Sequence, residues 1–233
     1  MRDLPPVIVV TGTGTEIGKT VVTAALAASL LHRGLRVTVV KATQTGLQPG
    51  EPGDVDEVAA LAGDVRAREL VRLPDPLAPD AAARVAGVEI PPVAEHADSV
   101  MHLVRDGSAD VVLVEGAGGL LVRMDSDGAT IADLGTAMEA RGARVGFLVV
   151  ATAGLGTLNH SALTAEALRH RGLDCLGFVI GSWPEHPDLA MRCNLEDLPN
   201  VTGAPLLGWV PEGAGRWEPE RFRAEAPSWL RVE

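Results

Sequence analysis

The sequence predicts an α/β fold, a parallel sheet covered by helices on both faces, and three observations carry the prediction. Short, continuous aliphatic runs recur along the chain with helix-like segments between them. The first run feeds a glycine-rich turn that opens a helix, and the residues able to do chemistry cluster at the carboxyl ends of the runs. No internal repeat interrupts the pattern, so residues 1–233 are expected to form a single domain.

The elements follow in order. Residues 7–10 are four β-branched residues and read as the first buried strand, leading into Thr11-Gly12-Thr13-Gly14-Thr15-Glu16-Ile17-Gly18-Lys19-Thr20. Residues 20–33, rich in Ala and Leu and closed by Gly34, read as a helix. Residues 37–40 form a second strand that delivers Lys41 and the polar turn 42–46. After a loop at 49–53, a helix is expected over 54–61; residues 66–79 hold several prolines and read as irregular, and 80–85 and 93–104 are further helices. A third strand at 111–114 ends in Glu115-Gly116-Ala117-Gly118-Gly119, and residues 131–140 read as a helix. The strand 145–151 runs into the turn 152–157 before a helix over about 159–171, and 176–180 and 206–210 supply the last two strands.

Composition excludes several classes. Hydrophobic residues make up 46% and charged residues 22% of 233, the balance of a folded protein and not a disordered one. Aromatic residues are 3%, too few for a stacking platform, and the formal net charge of −11 opposes a phosphate backbone or an anionic membrane surface. Neither nucleic acid nor membrane is an expected partner. The start of the chain shows no signal-peptide pattern and no window is long and apolar enough to cross a bilayer, so a cytoplasmic location is expected. Cys175 and Cys193 fit no metal-ligand spacing and read as small buried hydrophobes in a reducing compartment.

The turn after the first strand is a phosphate cradle. Amide groups freed by glycines, together with the positive end of a helix, suit a polyphosphate; Lys19 adds a mobile cation and the Thr20 hydroxyl a magnesium ligand. The spacing from Gly12 to Gly18 is one residue longer than usual. Glu115, at the tip of a buried strand, is the best carboxylate for Mg²⁺, and Asp54 is a second candidate that on local grounds is equally an ordinary helix start. Lys41 would withdraw charge from a transferring phosphoryl group, and Thr15 and Thr45 could hydrogen-bond a small acceptor. The turn ending in Gly156-Thr157-Leu158-Asn159 opens a helix whose amides suit a carboxylate, and His160 reads there as a structural polar contact, not a proton shuttle.

With these residues in place the chain resembles the dethiobiotin synthetase family over nearly its whole length. Residues 12–20 resemble the family's phosphate loop including its extra residue, residues 115–119 are similar to its Glu-Gly-Ala-Gly-Gly signature, and residues 154–160 to its segment before the substrate-carboxylate helix. The resemblance implies a single-domain, P-loop NTPase-like fold. It also implies a cyclo-ligase that forms dethiobiotin from 7,8-diaminononanoate, CO₂ or bicarbonate and ATP, or another triphosphate such as CTP, through a carbamate and a carbamic–phosphoric anhydride. It selects Asp54 over Asp56, by the match just upstream of 59–63, to join Thr20 and Glu115 around Mg²⁺. Catalysis falls to Lys41, Lys19, Thr15 and Thr45. Nucleotide contacts fall to Glu16, Ile17, Gly18, Lys19, Thr20, Val21, Asp54, Glu115, Gly116, Ala117, Gly118, Gly181, Ser182, Pro211, Glu212 and Gly213. The diamine or its carbamate would meet Thr15, Lys41 and Thr45, while backbone groups of Thr157, Leu158 and Asn159 from a neighbouring subunit would hold its carboxylate, which implies a homodimer.

Two departures stand out. Ala42 follows the catalytic lysine where many relatives carry proline, and Gly181-Ser182-Trp183 stands where relatives often carry a base-reading asparagine, so relaxed use of nucleoside triphosphates is expected. Two other readings share the same core. A P-loop switch or partitioning ATPase would place a second lysine where Gly14 stands and would carry a basic amphipathic element. A cobyrinate-type amide-forming synthase would need a glutamine-hydrolysing domain, for which residues 217–233 leave no room.

Overall fold

The computed structural model describes residues 4–231. The outer limits of the expected 1–233 unit therefore lie outside the described residues. The elements are β1 (Val7–Gly12), α1 (Lys19–His32), β2 (Val37–Lys41), β3 (Gln44–Thr45), α2 (Asp54–Ala62), β4 (Arg66–Glu69), β5 (Arg72–Leu73), α3 (Pro79–Ala86), α4 (Val93–Arg105) and β6 (Val111–Glu115). There follow α5 (Ile131–Ala140), β7 (Val145–Ala151), α6 (Thr157–His170), β8 (Asp174–Trp183), α7 (Leu189–Thr202), β9 (Leu206–Pro211) and α8 (Pro219–Glu225), with short 3₁₀ turns at Ala214–Arg216 and Ala226–Ser228.

Seven strands form one sheet in the order β4-β2-β6-β1-β7-β8-β9, and every pairing is parallel. The period-two alternation of strand side chains divides the core. Val7 and Val9 of β1 join Val112, Val114, Phe147 and Val149 beneath α4, α5 and α6. Ile8 and Val10 join Val39, Leu113, Leu148 and Val150 beneath α1, α2 and α8. Continuous aliphatic runs are thus explained by burial on both faces. At the usual ~25 cal/mol per Å² of apolar surface removed from water, each such residue contributes on the order of 1.5–3 kcal/mol.

Three expectations need correction. Residues 66–79, read as irregular, contain β4, an edge strand in which Arg66 and Arg68 are exposed, and β5, which pairs with β3 in a separate two-stranded ribbon. Helices α7 and α8 were not anticipated; Pro199 inside α7 and Pro219 at the start of α8 conceal them. Cys193 is exposed and not buried, because it lies on the solvent face of α7, whereas Cys175 is partly buried. Ala42 has its own reason: its N–H donates to the Glu115 carbonyl at 3.4 Å, a bond that proline could not make.

Candidate active site

The phosphate loop leaves β1 at the centre of the sheet and is pinned there by the Thr13 N–H, which donates to the Val150 carbonyl at 2.9 Å. Glu16 takes a φ of 56°, the left-handed region that non-glycine residues seldom occupy, and Gly18 follows at 89° as the N-cap of α1. Lys19 Nζ donates to the Gly14 carbonyl at 2.8 Å. Burial, with the Lys41 ammonium as second cause, pushes the Lys19 pKa down to about 8, and Glu115 and Asp54 only partly oppose this.

Glycines let two other backbones close on the loop. A Cβ on Gly118 would stand 2.9 Å from Val122 Cγ2 and 3.3 Å from Thr15 Oγ1, and the Leu120 N–H donates to the Gly12 carbonyl at 3.2 Å. Gly181 of β8 packs directly on the loop, where a Cβ would overlap the Ile17 carbonyl oxygen.

Lys41 and Glu115 are register partners on adjacent strands β2 and β6, so their side chains emerge together at the strand ends. Lys41 Nζ donates to Glu115 Oε1 at 2.8 Å and to the Gly116 carbonyl at 3.1 Å, and it pairs with Asp54 Oδ2 at 2.5 Å. Burial opposes the charge on Lys41, but Glu115 and Asp54 outweigh it and hold the ammonium above the ordinary lysine range. Thr20 Oγ1 donates to the same Glu115 oxygen at 3.0 Å. Asp54 heads α2, and its N–H donates to Gln44 Oε1 at 3.0 Å. Asp56 is turned away from the site, accepting from the Gly53 N–H at 2.7 Å as a helix cap.

A cleft of about 790 Å³ collects Thr15, Glu16, Ile17, Gly18, Lys19, Thr20 and Val21 with Lys41, Thr45, Asp54, Glu115, Ala117 and Gly118. Gly116 takes part through its carbonyl. The cleft also contains Thr43 and Gln44 of the polar turn 42–46, to which sequence alone assigns no individual role, and Glu57, which it shows only as part of an acidic helix start. Burial first, then Asp54 and Glu115, hold the Glu57 carboxyl above its usual range.

Other expected residues lie elsewhere. Pro211 and Glu212 line a second hollow of about 470 Å³ with Trp183, Trp209 and Trp217, and no carboxamide side chain faces it. Gly181, Ser182 and Gly213 line neither hollow. Thr157, Leu158 and Asn159 are outside the cleft, and one of their three amides is already engaged, because the Thr157 N–H donates to Gly154 O at 3.3 Å. Asn194 of α7 holds that turn, its amide donating to the Ala153 and Gly154 carbonyls at 2.7 and 3.2 Å.

The donor set suits a hard divalent cation. Glu115 Oε2 is buried with no hydrogen-bond partner, and Thr20 Oγ1 and the half-buried Asp54 bring further oxygens beside it. Among the described residues no three His, Cys, Asp or Glu side chains gather as a metal cluster. A cation here would therefore complete its shell with phosphate and water oxygens, as Mg²⁺ prefers.

Sheet, loop and strand-end lysine together define a P-loop nucleoside-triphosphate-using protein. Solved structures share the fold: the cell division ATPase MinD of Pyrococcus furiosus matches with a TM-score of 0.57 at 21% identity over 96% of this chain and 89% of that one. A ParA-family ATPase of Chlorobium tepidum matches at 0.54 and 12% over 98% and 90%. A family model described as an AAA domain, AAA_26, matches residues 7–215. Much nearer in sequence are two proteins described as ATP-dependent dethiobiotin synthetase BioD. That of Saccharopolyspora erythraea is 63% identical over 210 residues, 89% of this chain and 88% of the relative; that of Streptomyces coelicolor is 56% identical over 225 residues, 97% and 92%. The chain belongs to the ATP-dependent dethiobiotin synthetase family.

Proposed function

We propose that this protein is an ATP-dependent cyclo-ligase that closes the ureido ring of dethiobiotin from 7,8-diaminononanoate and CO₂, a step of biotin biosynthesis. The observation that carries the reading is the buried Lys41 ammonium, held by Glu115 and Asp54 at the mouth of the phosphate loop with Thr15 and Thr45 around the same cleft. One amine of the diamine adds to CO₂ and loses a proton to give a carbamate. A carbamate oxygen then attacks the γ-phosphorus and displaces the nucleoside diphosphate, forming a carbamic–phosphoric anhydride. The second amine attacks the carbonyl carbon and loses a proton, the C–O bond to phosphate breaks, and the cyclic urea leaves with inorganic phosphate. Lys41 orients the carbamate and offsets its charge, Lys19 exchanges the Gly14 carbonyl for a phosphate oxygen, and Thr15 and Thr45 supply hydroxyls to the acceptor. Thr20, Asp54 and Glu115 would hold Mg²⁺, which when bound neutralises phosphate charge.

The nucleotide's phosphates would lie along residues 15–21 and 115–118, with its base toward Pro211, Glu212, Gly213, Gly181 and Ser182. The hollow beside them lacks a carboxamide, so the base is read loosely and CTP also serves. Residues 1–233 act as one unit in a homodimer. The backbone of Leu158 and Asn159 outside the cleft, next to a Leu155 that is 90% exposed, supports donation across subunits. The reading places the enzyme in the cytoplasm, where Cys175 and Cys193 stay free thiols. Incubation with diamine, bicarbonate, Mg²⁺ and each triphosphate in turn tests it: mass spectrometry should find the cyclic urea with ATP and with CTP. Triphosphate hydrolysis indifferent to the diamine would overturn the ligase reading, and strict rejection of CTP would overturn the loose reading of the base.

A further inference from the structure

We infer that Glu57 reads the ribose of the bound nucleoside triphosphate, its carboxylate accepting hydrogen bonds from the 2′- and 3′-hydroxyls and so selecting ribonucleotides over deoxyribonucleotides. The inference rests on the triphosphate reading of the cleft. Glu57 lies on α2 one turn beyond Asp54 and lines the same cleft as the phosphate loop. Its carboxylate reaches the turn that follows β9: a Cβ on Gly215 would stand 3.6 Å from Glu57 Oε1 and 2.9 Å from Val21 Cγ2. Gly215 belongs to the 3₁₀ turn Ala214–Arg216, directly before Trp217, which lines the second hollow with Trp183, Trp209 and Pro211. Glu57 therefore stands on the passage between the phosphate end and the aromatic hollow. A nucleotide with its phosphates in the loop and its base in that hollow carries its sugar past this carboxylate.

The chemistry points the same way. An ionised carboxylate is only an acceptor, and among the described residues the exposed Glu57 has no hydrogen-bond donor or cationic partner, its charged neighbours being Asp54 and Glu115. Another anion would be repelled there, so phosphate is a poor occupant. A vicinal diol offers two neutral donors to the two oxygens of one carboxylate, the use to which an acidic residue is put in other nucleotide folds. The sequence could not show this, because 54–57 reads as an acidic helix start and only the fold brings Val21 and Gly215 against it.

The test is calorimetric titration of the full chain with ATP, 2′-deoxy-ATP and 2′,3′-dideoxy-ATP in Mg²⁺, without diamine. The wild-type protein should bind the dideoxy nucleotide about tenfold or more weakly than ATP, the scale of a hydrogen bond to a charged group. Glu57→Ala should bind all three alike, at the wild-type dideoxy level, and Glu57→Gln, which keeps one acceptor oxygen and the side chain's shape, should recover part of the discrimination. If the alanine variant melts early, the glutamine ratio alone decides, and a ratio unchanged from wild type overturns the inference. Wild-type protein that binds all three equally would overturn it as well. So would an alanine variant that weakens all three by one factor, which would assign Glu57 to the phosphate or metal shell. Wild-type protein that binds none of the three would sink the triphosphate reading itself, and this inference with it.

Discussion

Gly181→Ala puts the smallest possible side chain where β8 meets the phosphate loop, and its consequence can be worked from distances. The new Cβ would overlap the Ile17 carbonyl oxygen and lie 2.8 Å from Val150 Cγ1 and 3.0 Å from the Ile17 carbonyl carbon, whereas ordinary contact begins at 3.4 Å. Val150 is a side chain and can yield, but the Ile17 carbonyl belongs to the loop itself. The loop must therefore retreat by on the order of 1 Å, since close-packed atoms of this kind leave no slack. Overpacking of this sort costs roughly 1–3 kcal/mol of stability. A 1 Å displacement of a positioning element costs about 100-fold in catalysis. Urea denaturation and steady-state kcat/KM measure the two effects separately. Gly154→Ala is the stability control: its Cβ would meet only Met191 Cε, at 4.0 Å, and its denaturation midpoint should barely move. A Gly181→Ala protein with wild-type midpoint and wild-type kcat/KM would refute the argument that this glycine exists for close approach to the loop.

The two lysines should separate in function. Lys41→Ala should keep ATP affinity within several-fold while turnover falls on the order of 10²–10³-fold, the cost of removing a positioned charge donor; Lys19→Ala should damage both, and equal loss of binding in the two variants would refute the division. The pH dependence of Lys19 has a definite sign. The group titrates near 10.5 when unfolded and near 8 when folded, so between these values the unfolded chain holds more protons and stability rises with pH. The burden, roughly 3 kcal/mol, is fully present below pH 8. Because a bound phosphate needs the ammonium, ATP affinity should fall as pH rises above about 8, with proton uptake seen by calorimetry in buffers of different ionisation heat. Affinity that stays flat to pH 9.5 would contradict this.

How far the site was legible depends on how locally each residue is placed. Lys19, Thr20, Lys41 and Glu115 follow a glycine turn or end an aliphatic run, so position along the chain already assigns them to the strand ends. Asp54 was not separable from Asp56 by local reasoning; the structure separates them through contacts 10 or more residues away, with Asp54 meeting Lys41 and Gln44 while Asp56 caps its own helix. Gln44 shows locally only as part of the polar turn 42–46, and Glu57 only as part of an acidic helix start. The same rule governs the fold: β1, β6 and β7 are buried on both faces and announce themselves. By contrast β4 is a charged edge, and β3 and β5 exist only because they pair with each other. Helix α7 buries only Asn194, Leu198 and Thr202, a stripe too thin and too polar to read.

The charge arrangement resolves an apparent contradiction. A chain of formal charge −11 should repel a triphosphate. Yet most of that charge is on the surface, where salt screens it within about 8–10 Å. Inside the cleft the balance is set at contact distance. Glu115 Oε1 is shared between Lys41 Nζ at 2.8 Å and Thr20 Oγ1 at 3.0 Å, and Lys41 also holds Asp54, so one of these two negative charges is already offset by Lys41. Lys19, bound only to the Gly14 carbonyl, is the cation without a carboxylate at hydrogen-bond distance among these groups, and burial has already weakened its hold on the proton. A phosphate relieves that burial cost, which the peptide carbonyl cannot do. The affinity for an anion therefore resides in one desolvated ammonium and the amides around it, and the net charge of the whole chain has little bearing on it.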